Sequence, residues 1–389
     1  MLNCYNSSTA SKRSSRFPDN YPKQIVSAKG AYIHDKDGKE YLDFCCSLGP
    51  IILGHRYPAV DEAVIKAITD EGTLFSLSHP KEWILAELLC EMIPSGEMVK
   101  FAHNGVDVTT AAIRLARHIT GRELVLSFSY HGCQDVFMAC TKTNNGVPIS
   151  LSLTIADFDY NDIEKVKDLL EHNEVAAIIL EPHTIRKPED KFLEQIRDLC
   201  NFYKTILIFD EVVSFPRYPK ISAQAEFNVT PDLTCISKGM ANGYPISALV
   251  GKEKYMKELK DGGVFFSTTF GGCNIGVSAA IATLNEIRDK NVLEHLNRLG
   301  KMFRQNIKGI KVVGSVDSRL FFEMKDDDRQ RLWQEAIKEG IFFHVPIFFN
   351  YSMTEKDILK AVSTVNGIGK KLDEIEIEGY IIREVFKKR

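Results

Sequence analysis

Apolar runs of strand length alternate along the chain with longer segments in which apolar residues recur at helical spacing. The clearest run is Val175 to Leu180, with six apolar residues in succession, and residues 205–209 form a similar run. A strand that is apolar at every position is typical of a parallel sheet that helices cover on both faces. The alternation therefore predicts an α/β fold with a mainly parallel sheet.

Charged residues stand at the ends of several predicted strands. Glu181 follows the first run, Asp210 follows the second, and Lys238 ends a strand predicted over residues 231–237. In open parallel sheets, ligands bind outside the carboxyl ends of the strands. A lysine in a turn that contains glycine is a candidate for imine formation, and carboxylates beside a core need partners. Each residue alone also fits an ordinary surface charge or ion pair, so their convergence at one edge is what favours a site.

Two further turns follow short predicted strands at the same edge. Residues 103–107 lead into a helical segment, where the free backbone N–H groups of a helix N-terminus suit a phosphate and Gly105 permits close approach of the main chain. Tyr130 follows a strand predicted over residues 123–128, and its ring is suited to stacking on a flat cofactor. An ordinary capped helix start and a tyrosine satisfied within a loop are the alternatives.

Composition and charge narrow the classes of function. The 389 residues are 44% hydrophobic and 26% charged, with a formal net charge of −3, which predicts neither nucleic acid nor a membrane as a partner. The nine cysteines are scattered and form no C-x-x-C pair, so no metal site is predicted. Residues 1–16 are polar, and no apolar stretch reaches about 18 residues, so we expect a cytoplasmic protein with reduced thiols.

The predicted constellation matches the needs of pyridoxal phosphate. This cofactor requires an imine-forming lysine, an acid at its pyridine nitrogen, donors for its phosphate and packing on its ring faces. Asp210 is the candidate that keeps the pyridine nitrogen protonated, so that the ring accepts electrons when a proton leaves the substrate. Lys238 is the candidate for the imine and for moving a proton between the substrate's α-carbon and the cofactor. Transamination needs both functions.

Several motifs along residues 29–360 resemble those of one known family. They are Gly30–Asp43 with Leu53-Gly54-His55, Ile113–Arg117 with Thr120-Gly121-Arg122, Tyr130-His131-Gly132, and Ile208–Val212 with Pro231–Leu233 and Ser237–Gly239. Through them the chain resembles class III pyridoxal-phosphate-dependent aminotransferases of fold type I. Within that family it resembles the glutamate-1-semialdehyde aminomutase-like branch, which includes members from surface-polysaccharide gene clusters.

The resemblance implies an architecture and an assembly. Residues 56–275 would form a large cofactor-binding domain, and residues 1–55 and 276–389 a smaller α+β domain. Similar enzymes are homodimers that build each active site from two chains. By this resemblance Thr269, in the segment of residues 266–272, would reach the phosphate of the neighbouring subunit.

The resemblance also assigns cofactor contacts. The backbone N–H groups of Gly105 and Val106 would bind the phosphate, although residues 104–107 read Asn-Gly-Val-Asp where relatives usually have Ser-Gly-Thr-Glu. Val212 and Tyr130 would pack on opposite faces of the ring. Glu181 would lie near the cofactor's O3′ side.

Two arginines are candidates for substrate binding. Arg217 stands where similar aminomutases also carry an arginine, and is either an anion clamp or part of a surface or interface salt bridge. Arg16, in Ser14-Ser15-Arg16-Phe17, is the nearest counterpart of the aminomutases' Ser-Pro-x-Arg motif, and the match lacks the proline.

Three functions remain open at this point. We expect an aminotransferase that takes nitrogen from an amino acid such as glutamate and delivers it to a carbonyl compound, a sugar or a small phosphorylated metabolite. The alternative is a glutamate-1-semialdehyde 2,1-aminomutase, which isomerises one amino aldehyde. The third is a cofactor-binding protein without catalysis, which retention of Lys238 and Asp210 argues against.

Overall fold

A computed structural model describes residues 7–182, 185–189, 191–260 and 263–379 of the protein. These residues divide into two compact units. The larger unit comprises residues 58–293, and the smaller comprises residues 7–57 with 294–379. The domain boundaries expected from the family resemblance stay a prediction.

The strands of the described residues are numbered in chain order. They are β1 (Ile25–Lys29), β2 (Tyr32–Asp35), β3 (Glu40–Asp43), β4 (Met98–Ala102), β5 (Leu124–Phe128), β6 (Ile155–Asp157), β7 (Val175–Leu180), β8 (Ile206–Asp210), β9 (Leu233–Ile236), β10 (Ser247–Gly251), β11 (Lys311–Val316), β12 (Arg319–Glu323), β13 (Ile341–Phe342) and β14 (Ile347–Phe348).

The α-helices of the described residues are numbered in the same way. They are α1 (Pro58–Lys66), α2 (Pro80–Met92), α3 (Gly105–Thr120), α4 (Asp135–Met138), α5 (Ile163–His172), α6 (Phe192–Tyr203), α7 (Ala223–Phe227), α8 (Glu253–Lys260), α9 (Asn274–Asp289), α10 (Val292–Asn306), α11 (Asp326–Ala336) and α12 (Glu355–Gly369). Short 3₁₀ turns, among them Lys238–Ala241, connect several of these elements.

Seven strands of the larger unit form one sheet in the order β4-β10-β9-β8-β7-β5-β6. The five strands from β9 to β6 are parallel, whereas β10 lies antiparallel between β4 and β9. The predicted α/β fold with a mainly parallel sheet is therefore confirmed. All residues of β7 and β8 are buried, as expected for central strands covered on both faces.

The two faces of this sheet pack against different helices. In β8, Ile206 and Ile208 join the hydrophobic core that includes α3, whereas Leu207 and Phe209 join the core that includes α6. Side chains alternate between the faces of a strand, so Asp210 continues the α3 side of the sheet. The alternation along β8 therefore decides on which face its terminal carboxylate lies.

The smaller unit contains two short sheets around an aromatic core. One sheet has the order β1-β2-β3-β13 and the other β11-β12-β14. Phe44 stacks on Phe343 with ring centroids 5.1 Å apart, and both Phe303 and Phe349 lie within 5.8 Å of Phe44. Offset and edge-on aromatic pairs add stabilisation beyond their buried area. This cluster is the centre of the smaller unit.

The cysteines of the described ranges are free thiols. Cys200 and Cys235 are fully buried in the core of the larger unit, and burial raises the pKa of the Cys200 thiol to about 12 and that of the Cys235 thiol well above its ordinary value. Both thiols are therefore protonated structural groups. Within the same ranges, no helix combines the length and hydropathy that crossing a bilayer requires.

Two helical glycines of the smaller unit should respond oppositely to alanine. A Cβ atom on Gly300, in α10, would lie 1.8 Å from the carbonyl oxygen of Asp317, whereas no described atom lies within 4 Å of one on Gly367, in α12. Gly300→Ala should lower the free energy of unfolding by about 1–3 kcal/mol through overpacking. Gly367→Ala should raise it by up to about 1 kcal/mol. Urea titration measures both, and a neutral Gly300→Ala would contradict the packing described.

Candidate active site

The carboxyl ends of the parallel strands bring the predicted polar residues to one edge of the sheet. β8 lies between β7 and β9, so that Asp210 stands between the residues that follow those two strands. Asp210 pairs in register with Cys235, three residues before Lys238, and the backbone N–H of residue 211 donates to the Cys235 carbonyl at 2.9 Å. The structure thus places the Asp210 and Lys238 positions at the ends of adjacent strands.

The Asp210 carboxyl is buried, with 4% exposure, and is held from two sides. Its Oδ2 lies 2.7 Å from Nδ1 of His131, and its Oδ1 accepts a hydrogen bond of 3.0 Å from the backbone N–H of Val212. A buried carboxylate is tolerated only when donors of this kind replace water. The two bonds therefore fix the direction of the carboxyl.

The sequence did not predict the contact of His131 with Asp210. The backbone carbonyl of His131 accepts a hydrogen bond of 2.7 Å from Thr109, and its ring packs edge-on against Phe137 at 5.6 Å between centroids. Its Nε2 is buried and has no hydrogen-bond partner among the described residues. In the sequence, only the position of His131 directly after Tyr130 pointed to this residue. Its contact with Asp210 requires that β5 and β8 both lie beside β7, and the local sequence pattern does not predict this strand order.

Glu211, next to Asp210, lies in a different environment. It is fully buried and accepts hydrogen bonds from the backbone N–H of Ala223 at 2.7 Å and from the side chain of Gln224 at 3.0 Å. Burial raises the pKa of Glu211 above its ordinary value, although these hydrogen bonds oppose the shift. Glu211 therefore anchors the segment that follows β8, and Asp210 alone of the two contacts His131.

Lys238 begins a short 3₁₀ turn immediately after β9. Its backbone has a φ of 41°, in the left-handed region that residues other than glycine rarely occupy. The preceding Ser237 donates a side-chain hydrogen bond of 2.7 Å to the Ile246 carbonyl, and the backbone N–H of Met240 donates to the Ser237 carbonyl at 3.0 Å. These bonds hold the half-buried lysine in a strained conformation at the sheet edge.

The turn between β4 and α3 has the geometry of an anion-binding helix start. Asp107 Oδ2 accepts a hydrogen bond of 2.7 Å from the backbone N–H of Asn104, and Ser247 donates one of 2.8 Å to the Asn104 carbonyl. The backbone N–H groups of Gly105 and Val106, at the start of this helix, have no acceptor one turn earlier within the helix and suit a phosphate, whereas the N–H of Asp107 donates to the Asn104 carbonyl at 3.0 Å. The turn is thus held by Asp107 and Ser247.

Val212 lies against this turn. A Cβ atom on Gly105 would approach its Cγ1 to 2.9 Å, so glycine is required for their contact. Tyr130 is 45% exposed, and partial burial raises the pKa of its hydroxyl. Glu181 accepts a hydrogen bond of 2.7 Å from Ser129, the residue before Tyr130. The ring-packing roles of Val212 and Tyr130 and the O3′ role of Glu181 stay predictions.

The remaining predicted residues lie in three different places. Arg217 is fully buried within the larger unit, which excludes a surface salt bridge, and its role as an anion clamp stays a prediction. Thr269 is exposed in the irregular segment before α9. Arg16 ends a 3₁₀ turn of the smaller unit, Ser14–Arg16, and partial burial beside Arg13 lowers its pKa.

Comparison with known proteins identifies relatives over nearly the whole chain. The sequence profile of the family described as Aminotransferase class-III matches residues 14–358. A 3-aminobutyryl-CoA aminotransferase of Cloacimonas acidaminovorans (strain Evry) is 40% identical over 384 residues, covering 92% of this chain and 91% of the relative. A glutamate-1-semialdehyde 2,1-aminomutase of Acetivibrio thermocellus is 35% identical over 385 residues, covering 89% and 90%.

Solved structures match the fold over similar lengths. The FumI protein of Sphingopyxis sp. MTA144, in its pyridoxal phosphate internal aldimine form, superposes with a TM-score of 0.86 at 26% identity, covering 94% of each chain. An omega-transaminase from Sphaerobacter thermophilus superposes with a TM-score of 0.85 at 24% identity, covering 93% of this chain and 94% of that one. The similarity to the omega-transaminase supports the fold alone.

Replacing His131 should reveal its support of Asp210. His131→Phe removes the donor and leaves a buried carboxylate with one hydrogen bond, so the free energy of unfolding should fall by about 1–3 kcal/mol. His131→Asn, whose amide can still donate, should lose less. Urea unfolding of the three proteins measures the difference, and equal stability of the Phe and Asn variants would show that the 2.7 Å contact contributes nothing.

Proposed function

Because this chain belongs to the class III aminotransferases, which depend on pyridoxal phosphate, we propose that it transfers an amino group from an amino acid, glutamate first, to a carbonyl compound. The observation that carries this proposal is the placement of Lys238 and of the Asp210–His131 pair at the ends of adjacent strands. Lys238 is suited to bond a carbonyl, and Asp210 is suited to hold a proton on a ring nitrogen.

The described residues fit the cofactor. The turn at Gly105 and Val106 offers backbone donors to a phosphate, and close contact of Gly105 with Val212 leaves no space there for a side chain. The buried Asp210 carboxyl, oriented by His131, has the chemistry to pair with a pyridinium nitrogen. Val212 and Tyr130 would pack on the ring, and Glu181 would lie beside its O3′ oxygen.

Each residue has a defined chemical task in this proposal. When bound, pyridoxal phosphate supplies a carbonyl that bonds amines and a ring that accepts electrons from the substrate. Asp210 keeps the ring nitrogen protonated, and His131 holds the Asp210 carboxyl in position. Lys238 would attach the cofactor through its amine and, once the substrate's amine has replaced it, would carry the proton that leaves the substrate's α-carbon to the C4′ atom of the cofactor.

Two observations favour a transferase over an isomerase. The relative that acts as a 3-aminobutyryl-CoA aminotransferase is 40% identical to this chain, against 35% for the aminomutase from Acetivibrio. Residues 14–17 also lack the proline of the aminomutase motif around Arg16. We therefore propose a 3-oxoacyl thioester as the first acceptor to test, and the sugar or small phosphorylated carbonyl expected from the sequence as the second. The similarity to aminomutases keeps glutamate-1-semialdehyde isomerisation as the alternative function.

The absorption spectrum of the purified holoenzyme tests this proposal. The visible band of lysine-bound cofactor should be present, should be absent from Lys238→Ala, and should persist in Lys220→Ala, which removes an exposed lysine. Glutamate should bleach the band with release of 2-oxoglutarate, and 3-oxobutyryl-CoA should restore it if the first acceptor is correct.

The other outcomes separate the alternatives. Turnover of glutamate-1-semialdehyde without bleaching by glutamate would support the aminomutase. Loss of the band in Lys220→Ala but not in Lys238→Ala would refute the site assignment. A band that no amine changes would identify a binding protein without transferase activity.

We propose further that the enzyme is a homodimer in which Thr269 approaches the partner's cofactor phosphate. Exposed apolar side chains of the larger unit concentrate in residues 74–84 and 265–270, where Leu77 and Phe265 are 85% and 79% exposed. Phe75, Leu77 and Trp83 line one cavity of about 540 Å³ together with residues 267 and 268. Exposed apolar surface of this kind supports a protein interface, and Thr269 is exposed within the segment of residues 265–270.

A charge at this surface should dissociate the dimer. Leu77→Asp is expected to yield monomer in light scattering at micromolar concentration and to weaken cofactor retention, because a buried unpaired carboxylate disrupts an apolar interface. Ile149→Asp, at a side chain that is 89% exposed elsewhere in the larger unit, is the matched control and should stay dimeric. A dimeric Leu77→Asp would place the interface on another surface.

A further inference from the structure

A cavity of about 480 Å³ lies at the opposite edge of the large sheet from Asp210 and Lys238. Its lining includes Arg122, Thr205 and Asp232, which precede β5, β8 and β9 at their amino ends. The five residues of β8 span roughly 13 Å at the usual rise of a strand. The cavity is therefore separated from the candidate active site by the length of the strands.

Cationic side chains dominate this lining. Five of them contribute: Arg122, Arg197, Lys204, Lys252 and Lys254. Among the described residues that line the cavity, Asp232 is the one carboxylate. The protein as a whole carries a net charge of −3, so the cluster does not follow from a basic composition.

Asp232 neutralises only part of this charge. Its Oδ2 lies 2.9 Å from Nη1 of Arg197 and accepts a further hydrogen bond of 2.9 Å from the backbone N–H of Leu207. Its Oδ1 lies 3.4 Å from Nζ of Lys252. One carboxylate thus shares the cavity with five cations, and cations that line one cavity repel one another unless an anion joins them.

Both arginines are held in place before any ligand binds. Nη1 of Arg122 donates to the carbonyls of Val175 and Tyr203 at 3.0 and 2.9 Å. Nε of Arg197 is shielded from solvent and has no hydrogen-bond partner among the described residues, although Nη1 of the same side chain is bonded to Asp232. Guanidinium groups fixed in this way lose little entropy when they bind an anion.

We propose that this cavity binds a small anion that carries phosphate groups, at a site independent of the aminotransferase chemistry. The arginines provide planar donors and the exposed Lys204 and Lys254 provide further positive charges, a combination that suits phosphate oxygens. The cavity has room for more than one phosphate group. An inorganic ion and a phosphorylated metabolite present the same chemistry to these residues.

Calorimetric titration of the holoenzyme tests the site. The cofactor is kept saturating so that the helix start at Gly105 is occupied, and the probes are inorganic pyrophosphate and adenosine diphosphate. The double variant Lys204→Gln with Lys254→Gln should weaken binding about tenfold, because two charge-assisted contacts are lost. The matched variant Lys220→Gln with Lys257→Gln removes two exposed lysines outside the cavity and should bind as the wild type does.

The outcomes assign or reject the site. If adenosine diphosphate binds more tightly than pyrophosphate and its binding depends on Lys204 and Lys254, the ligand class is a phosphorylated metabolite. If pyrophosphate binds more tightly with the same dependence, the ligand is the inorganic ion. Absence of binding by the wild type at about 1 mM, a range in which weak ligands are measurable, overturns the proposal. Equal weakening in both double variants also overturns it, because the effect would then follow net charge. Melting temperatures of the variants verify that each is folded.

Discussion

The hydrogen bond between Asp210 and His131 is the interaction on which the candidate active site depends. A carboxylate at the end of a fully buried strand needs donors close by, and His131 provides one at 2.7 Å. The donor belongs to the loop after β5, whereas the acceptor ends β8, with β7 between them. The site therefore requires the correct strand order, and any rearrangement of the sheet would leave a buried charge without its partner.

The alternation of side chains along β8 separates two adjacent carboxyl groups into different roles. Asp210 lies on the α3 side, where Val212 contacts the turn at Gly105. Glu211 is bonded to Ala223 and Gln224, and burial raises its pKa, so it acts as a structural anchor. Two neighbouring acidic residues thus contact different partners, His131 for Asp210 and residues 223 and 224 for Glu211, because successive side chains point in opposite directions along extended backbone.

The same geometry gives the sheet two chemically different edges. Parallel strands end together, so the carboxyl edge brings together Asp210, Lys238 and the turn before α3. At the amino ends of the strands lie Arg122, Arg197 and the three lysines of the opposite cavity. Each edge gathers residues that are far apart in the chain, and the length of β8 keeps the two groups separate.

The sequence by itself determined the elements, the parallel sheet and the positions of Asp210 and Lys238, because buried strands and the residues that follow them are patterns of local order along the chain. The sequence also indicated the family, through motifs whose residues lie close together along the chain. Only the tertiary structure decided that His131 supports Asp210, that Glu211 does not share the site, that Arg217 is fully buried, and that five cations from residues 122 to 254 line one cavity. Those facts depend on strand order and on the pairing of segments that are distant in the chain. Burial and charge balance select that pairing in the folded protein, and no local sequence pattern contains it.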